Sequence, residues 1–148
     1  MPIILGIDPG LANNGAAVIS GPGDADVLGV SYFGTTPDRG QRQAQDDFRR
    51  MVAIVSWVYA LLTTHDPDLV VVEWYAPRFR SKRGWTTILV VGAVIALCWV
   101  LGVHLRVAQP PREVQVARWP VGQKPRPQGH RPHILDALTH ARLQWAKG

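Results

Sequence analysis

Residues 3–20, IILGIDPGLANNGAAVIS, contain the most informative pattern in this sequence. The first five residues of this stretch are apolar or glycine and are followed by Asp8, a pattern typical of a short buried strand that ends at a Pro-Gly turn. Residues 15–20 (GAAVIS) predict a second strand, and residues 27–34 (VLGVSYFG) predict a third. Because short turns join them, we expect these three strands to form an antiparallel meander.

Working outward from this meander, the pattern alternates between helices and strands. Helical periodicity or an uncharged apolar run predicts three helices, at residues 39–64, 85–101 and 133–146. Apolar or alternating runs predict two more strands, at residues 69–74 and 103–108. The order β-β-β-α-β-α-β-α predicts an α/β fold, a five-stranded mixed sheet with helices on both faces, in one domain over residues 1–148.

The apolar residues of the first helix lie at three- and four-residue steps, which favours one buried stripe. Its predicted members are Phe48, Met51, Val52, Val55, Val58, Leu61 and Leu62.

Composition narrows the classes of function. The chain has 148 residues, 47% hydrophobic and 18% charged, which excludes a disordered tail protein. Its net charge is +5, and thirteen of its 16 basic residues are arginine, which favours a polyanionic partner such as nucleic acid or an acidic membrane surface. Cys98 is the only cysteine, and no positive stretch precedes the first apolar run, so we expect a reducing, cytoplasmic compartment.

One apolar stretch leaves an alternative open. Residues 88–103 are apolar or glycine throughout, close to the roughly 20 residues of a transmembrane helix. Small residues at Gly92, Ala93 and Ala96, with strand patterns on either side, favour a buried helix and no membrane. A membrane-anchored domain is the alternative.

Four residues are candidates for a metal site. Asp8 and Glu73 are isolated acids, each at or near the end of a buried strand, and such carboxylates need a proton, a cation or a metal. If the two strands are parallel neighbours, both emerge at the same edge of the sheet. His133 and Asp136, three apart on the last helix, share one face. Such an oxygen-rich set suits Mg²⁺ or Mn²⁺, and a pair of these ions is typical of phosphodiester cleavage. His140, a turn further along, is interpreted as structural.

These stretches together resemble the RuvC-type Holliday-junction resolvases of the RNase H-like (retroviral integrase) superfamily. The matching segments are ILGIDPGLANNGAAVI, DLVVVEW and HILDALTHA, in the family's order. The resemblance implies a divalent-metal-dependent endonuclease that resolves four-way DNA junctions by paired symmetric nicks, leaving 5′-phosphate ends. It also implies a homodimer, formed at the apolar helix near 85–101. The short chain resembles phage-borne members, which would act in the host cytoplasm.

The resemblance also implies roles for particular residues. Asp8, Glu73 and Asp136 correspond to metal-binding catalytic acids, and His133 occupies a fourth position, as a ligand or as a proton shuttle. The family's Gly-x-Gly-x-Ala-x-Lys stretch is shortened here to VGQKPRPQGHRP, in which Lys124 is the best substitute for a helping catalytic lysine. The predicted DNA-binding residues follow Glu73 and combine aromatic with basic side chains: Trp74, Tyr75, Arg78, Phe79, Arg80, Lys82 and Arg83.

Two other functions stay open. An RNase H-like nuclease could cut other branched DNA or RNA–DNA hybrids, since recognition by shape leaves little trace in one sequence. A junction-binding protein without catalysis would keep the basic clusters but bind no metal. The role of the Pro-rich residues 109–132, predicted to be mostly loop, is open as well.

Overall fold

A computed structural model describes residues 1–74, 82–108 and 118–148 of the chain, with only the backbone described at 82–84. Its five strands are β1 (Ile4–Asp8), β2 (Asn13–Ile19), β3 (Val27–Gly34), β4 (Leu69–Glu73) and β5 (Leu105–Ala108). Its three α-helices are α1 (Gln43–His65), α2 (Lys82–Val100) and α3 (Arg131–Lys147). A short 3-10 helix, Asp24–Asp26, precedes β3.

The strands form one mixed sheet in the order β3-β2-β1-β4-β5. β1 and β3 pair antiparallel with β2, which confirms the meander. β4 lies parallel between β1 and β5, and the connections through α1 and α2 supply the crossovers that parallel strands need. The predicted α/β class, the mixed five-stranded sheet and the order of the elements along the chain are therefore confirmed.

Helices cover both faces of the sheet, because the central strands are apolar on both sides. On one face, Leu5 and Ile7 of β1 join a core cluster with residues of α1 and α2. On the other, Ile4 belongs to a cluster built with α3. Successive side chains of a strand point to opposite faces, so one short strand anchors both layers.

The predicted stripe of α1 is partly wrong. Phe48 and Val52 are 65% and 48% exposed. The fully buried residues instead follow one row at four-residue steps: Asp46, Arg50, Ile54, Val58 and Leu62. Polar residues occupy the first two positions of this row because each has polar partners: Asp46 accepts hydrogen bonds from Arg49 at 2.7 Å and from the amide of Asp38 at 3.2 Å. Arg50 lies 3.9 Å from Asp46 and donates to the hydroxyl of Thr35 at 2.8 Å.

Helix α2 buries Val90, Val91, Val94 and Cys98 and leaves other large apolar side chains in solvent. Those exposed are Trp85, Leu89, Trp99 and Val100. Across the described ranges, no helix has both the length and the apolar character needed to cross a bilayer.

Residues 118–130 run along the free edge of β3, and we call them the edge segment. Gln123 donates to the carbonyl of Val27 at 3.0 Å, and Arg126 donates to that of Val30 at 3.3 Å. The rest of the predicted loop, residues 109–117, lies outside the described residues, and α3 begins at Arg131. The described half of the loop is therefore docked on the sheet and leads directly into α3.

Candidate metal centre

The site lies at the carboxyl edge of the two central strands. β1 and β4 are parallel and in register, with Ile7 opposite Val72, so Asp8 and Glu73 end neighbouring strands at the same level. This is the edge at which open α/β sheets place their sites. The predicted juxtaposition of the two carboxylates is confirmed.

The loop that follows Asp8 is held by a buried side chain. Asn14, which is fully buried, accepts a hydrogen bond from the amide of Gly10 at 2.9 Å and donates to the carbonyl of Phe33 at 3.1 Å. It ties the turn after β1 to the edge strand β3. This fixes the direction in which the chain leaves Asp8.

Helix α3 reaches the site because two glycines let its backbone contact the sheet. A Cβ at Gly6 would lie 2.1 Å from the carbonyl oxygen of Ala137, and one at Gly15 would lie 2.2 Å from that of His133. No other residue leaves room for so close an approach. The glycines of β1 and β2 thus place the first two turns of α3 above Asp8.

The three carboxylates converge. One oxygen from each of Asp8, Glu73 and Asp136 lies within 4.8 Å of the others. Asp8 and Glu73 are partly buried, whereas Asp136 is exposed and faces the open side. This is a group of oxygen donors at the spacing that one divalent cation can bridge, with open positions for water or substrate.

His133 joins the site through Asp8. Its Nδ1 lies 3.1 Å from Oδ2 of Asp8, and its side chain is 32% exposed. Its ring nitrogens do not belong to the group of three carboxylates that meets the 4.8 Å spacing. Both interpretations, fourth ligand and proton shuttle, are compatible with this position.

Burial and mutual repulsion perturb the acids. Burial, followed by the nearby charge of Glu73, raises the pKa of Asp8 to about 6, against the lowering effect of its hydrogen bond to His133. Burial and then Glu73 also raise the pKa of Asp136. The hydrogen bond to Asp8 raises the pKa of His133 despite the opposing effect of burial. Carboxylates placed this close hold protons unless a cation replaces them.

The interpretation of His140 as only structural was incomplete. Its Nε2 lies 2.6 Å from Oε2 of Glu73, and its side chain is 2% exposed. The signal was present in the sequence, since His140 follows Asp136 by one helical turn on the same face.

A second group that the sequence did not reveal flanks His133. Tyr32 stacks on His130 with ring centroids 3.6 Å apart, and the Tyr32 hydroxyl donates to Asn13 at 2.5 Å. The centroid of His133 lies 6.4 Å from that of Tyr32. A partly buried aromatic residue of β3 thus braces the entry to α3.

Lys124 is not brought to the carboxylates. It is exposed in the edge segment, next to Gln123, whose partner Val27 lies at the opposite end of β3 from the site. It forms no ion pair with any residue of the described ranges.

The structure describes only one side chain of the predicted DNA-binding set. Tyr75, Arg78, Phe79 and Arg80 lie outside the described residues, and the side chains of Lys82 and Arg83 are not described either. Trp74 is described: it is partly buried and packs against the core cluster shared with α1 and α2.

Comparison with solved structures yields the same fold. The chain is similar to Thermus thermophilus RuvC in complex with a Holliday junction substrate, with a TM-score of 0.74 and 23% identity over 99% of this chain and 96% of that one. A second Thermus thermophilus RuvC structure gives a TM-score of 0.71 at 23% identity, covering 98% and 95% of the two chains. A yeast mitochondrial Holliday junction resolvase gives 0.50 at 16% identity, covering 72% and 52%.

No protein-family model and no curated protein sequence matches the chain. The likeness is therefore one of structure, and it extends over nearly the whole length of both molecules. The chain has the fold of Thermus thermophilus RuvC.

Proposed function

We propose that this protein is a metal-dependent endonuclease that resolves four-way DNA junctions. The observation that carries the proposal is the convergence of Asp8, Glu73 and Asp136 within 4.8 Å at the sheet edge. Repulsion between three neighbouring carboxylates lowers the stability of the fold. Their convergence therefore indicates a function that needs them, and metal-dependent phosphodiester cleavage is such a function.

The donor set fits Mg²⁺, with Mn²⁺ as a substitute. All three members of the group are carboxylates, and a bound cation would favour their ionised forms against the burial that raises the pKa values of Asp8 and Asp136. When bound, a pair of such ions would activate a water molecule and neutralise the charge that develops at the phosphate. Asp8, Glu73 and Asp136 would hold them, and His133 is the candidate for a fourth ligand.

The proton chemistry of His133 follows from its contact with Asp8. A carboxylate only accepts, so with Asp8 ionised it is Nδ1–H of His133 that donates. A neutral ring then leaves Nε2 without a proton, and Nε2 can accept one from an attacking water. With 32% of the side chain exposed, His133 can pass that proton to solvent.

The choice of a four-way junction as substrate rests on fold and charge. Thermus thermophilus RuvC, whose similarity covers 99% of this chain, is in complex with a Holliday junction substrate. The net charge of +5 suits a DNA backbone, and the aromatic and basic residues after Glu73 are the proposed binding surface. Other branched DNA and RNA–DNA hybrids are the alternative substrates.

A homodimer would explain the apolar surface of α2. Trp85, Leu89 and Trp99 are 64%, 56% and 84% exposed and recur on one side of the helix. Two copies joined through this helix would present two sites to one junction, as paired symmetric nicks require. The buried, unpaired Cys98 agrees with a reducing cytoplasm as the place of action.

The test is cleavage of an end-labelled four-way junction with Mg²⁺ or Mn²⁺, beside a flap and an RNA–DNA hybrid. Asp8→Asn is the inactive variant, and Asp66→Asn is the matched control, because Asp66 lies at the end of α1 in a left-handed conformation that asparagine tolerates. The proposal is supported if the wild type and Asp66→Asn make paired nicks and Asp8→Asn makes none. If the wild type and both variants bind the junction without cutting it, and none binds metal, the protein is a junction-binding protein without catalysis.

A further inference from the structure

We infer that His140 is a positioning residue that fixes the carboxylate of Glu73 for metal binding. The inference rests on the proposed function, since it assumes that Glu73 is a ligand. It extends the site by a residue that lies outside the group of carboxylates and acts through one of them.

The contact is short and sheltered. Nε2 of His140 and Oε2 of Glu73 are 2.6 Å apart, and His140 is 3% exposed as a whole residue. Because an ionised carboxylate has no proton to give, Nε2–H is the donor. One oxygen of Glu73 is thereby engaged, and rotation of the carboxylate about its last torsion is restricted.

Burial gives the contact its significance. His140 shares a buried helix face with Ala137, Leu138 and Ala141. Burying an imidazole there destabilises the fold unless its ring nitrogens have hydrogen-bond partners. Glu73 is the partner that the structure provides. Exposed imidazole–carboxylate pairs are common and weak, but one with 2% of the histidine side chain accessible holds its geometry.

The position of His140 also couples two of the acids. Asp136 and His140 lie one turn apart on the same face of α3, and α3 contacts β4, which ends in Glu73. The helix that delivers Asp136 to the site therefore also holds Glu73 in place. Metal-binding residues commonly depend on such outer partners, and removing one lowers metal affinity or activity by about 10- to 100-fold.

The experiment is titration of the protein with Mn²⁺ alone, without DNA, following the free ion by electron paramagnetic resonance. Three variants separate hydrogen bonding from packing. His140→Leu removes the donor, His140→Gln keeps an amide N–H at about the reach of Nε2, and His140→Asn keeps the amide but is too short. Gln144→Leu is the control, because Gln144 is also buried on α3, one turn beyond His140.

We expect Mn²⁺ affinity to fall by about 10- to 100-fold in His140→Leu and His140→Asn and to recover to near the wild-type value in His140→Gln, with Gln144→Leu unchanged. Wild-type affinity in His140→Leu, or equal loss in the Gln and Asn variants, would overturn the inference. Should His140→Leu not fold, the Gln and Asn pair decides. If the wild type itself binds no Mn²⁺, the metal site fails and the inference with it.

Discussion

Gly15 of β2 lies directly against the backbone of His133 in α3. A Cβ at residue 15 would be 2.2 Å from the carbonyl carbon and oxygen of His133 and 2.5 Å from the amide nitrogen of Ile134. All three are backbone atoms that no side-chain rotation can move aside. The absence of one methyl group therefore sets the distance between α3 and the sheet.

Gly15→Ala should destabilise the protein and open the site. Relieving the contact requires α3 to move away, which overpacking data suggest costs about 1–3 kcal/mol or more. Urea unfolding would measure the loss, and Mn²⁺ affinity should fall with it because Asp136 moves with the helix. Gly129→Ala is the control, since a Cβ there meets nothing within 4 Å. Equal stability of the two variants would show that the sheet adapts instead.

Asp8→Asn should abolish cleavage and keep junction binding. If loss of an outer partner of a metal ligand costs about 10- to 100-fold, loss of the ligand itself should exceed about 100-fold. Phosphate contacts by basic side chains, which carry most of the affinity, are unaffected. Junction cleavage and gel-shift assays check both halves. Loss of binding as well as cleavage would point to misfolding.

The metal-free protein should lose stability between pH 5 and pH 7. Asp8 has a pKa of about 6 when folded and 3.8 as its ordinary value, so the native state retains a proton that the unfolded chain has released. That stabilisation is full below pH 3.8 and is lost as the pH rises through about 6. Of about 3 kcal/mol for the whole shift, about 1 kcal/mol falls between pH 5 and pH 7.

The raised pKa of His133 acts in the same direction, because its contribution is also lost as the pH rises. The lowered pKa values of Asp24 and Asp46 act only below pH 4, outside this window. Urea unfolding in a chelator at pH 5 and pH 7 measures the effect. Asp8→Asn should flatten the slope, and Mg²⁺ at pH 7 should restore stability by binding the native state alone. A wild-type protein more stable at pH 7 than at pH 5 without metal would contradict this account.

His133→Asp should distinguish the two roles of His133. If it is a ligand, a carboxylate can replace it, so activity should stay within about tenfold and the pH profile should flatten near neutrality. If it moves a proton through Nε2, the loss should approach the roughly 10²- to 10⁴-fold of general acid–base catalysis. Single-turnover cleavage across pH 5–9 separates the cases.

Leu89→Glu should convert the proposed dimer to a monomer without unfolding it. Leu89 is 56% exposed, so the stability of the separate subunit should change by less than about 0.5 kcal/mol. Sedimentation velocity would show the change in mass, and cleavage should become unpaired. Val121→Glu, at a residue 79% exposed in the edge segment, is the control. A wild type that is already monomeric would refute the interface.

The sequence was sufficient where short-range patterns determine the result. Asp8 and Glu73 each closed an apolar run, and their juxtaposition depended only on whether those strands pair in parallel, as they do in the structure. The contact of His140 with Glu73 was harder to foresee. Its helical face was readable, but whether the second turn of that face reaches β4 depends on how α3 crosses the sheet, and the close approach at Gly6 and Gly15 sets that crossing.

The buried residues of α1 and the position of Lys124 were not predicted from the sequence, for a related reason. Apolar residues of α1 were assigned to the core by type, yet the buried row begins with the paired Asp46 and Arg50, whose partner Thr35 comes from another part of the chain. The path of the edge segment depends on side-chain bonds to β3 carbonyls, such as that of Gln123 to Val27. Contacts between segments that are distant in the chain produce no periodic pattern in the amino-acid sequence, so they cannot be predicted from it.

The three acids belong to segments far apart in the chain: Asp8 ends β1, Glu73 ends β4, and Asp136 lies on α3, which begins at Arg131. A fragment that stops before Arg131, whether from interrupted translation or from proteolysis, carries only two of them and lacks His133 and His140 as well. If the proposed function is right, such a fragment cannot assemble the metal site. The group of three carboxylates is therefore complete only after α3 has been synthesised and has docked on the sheet.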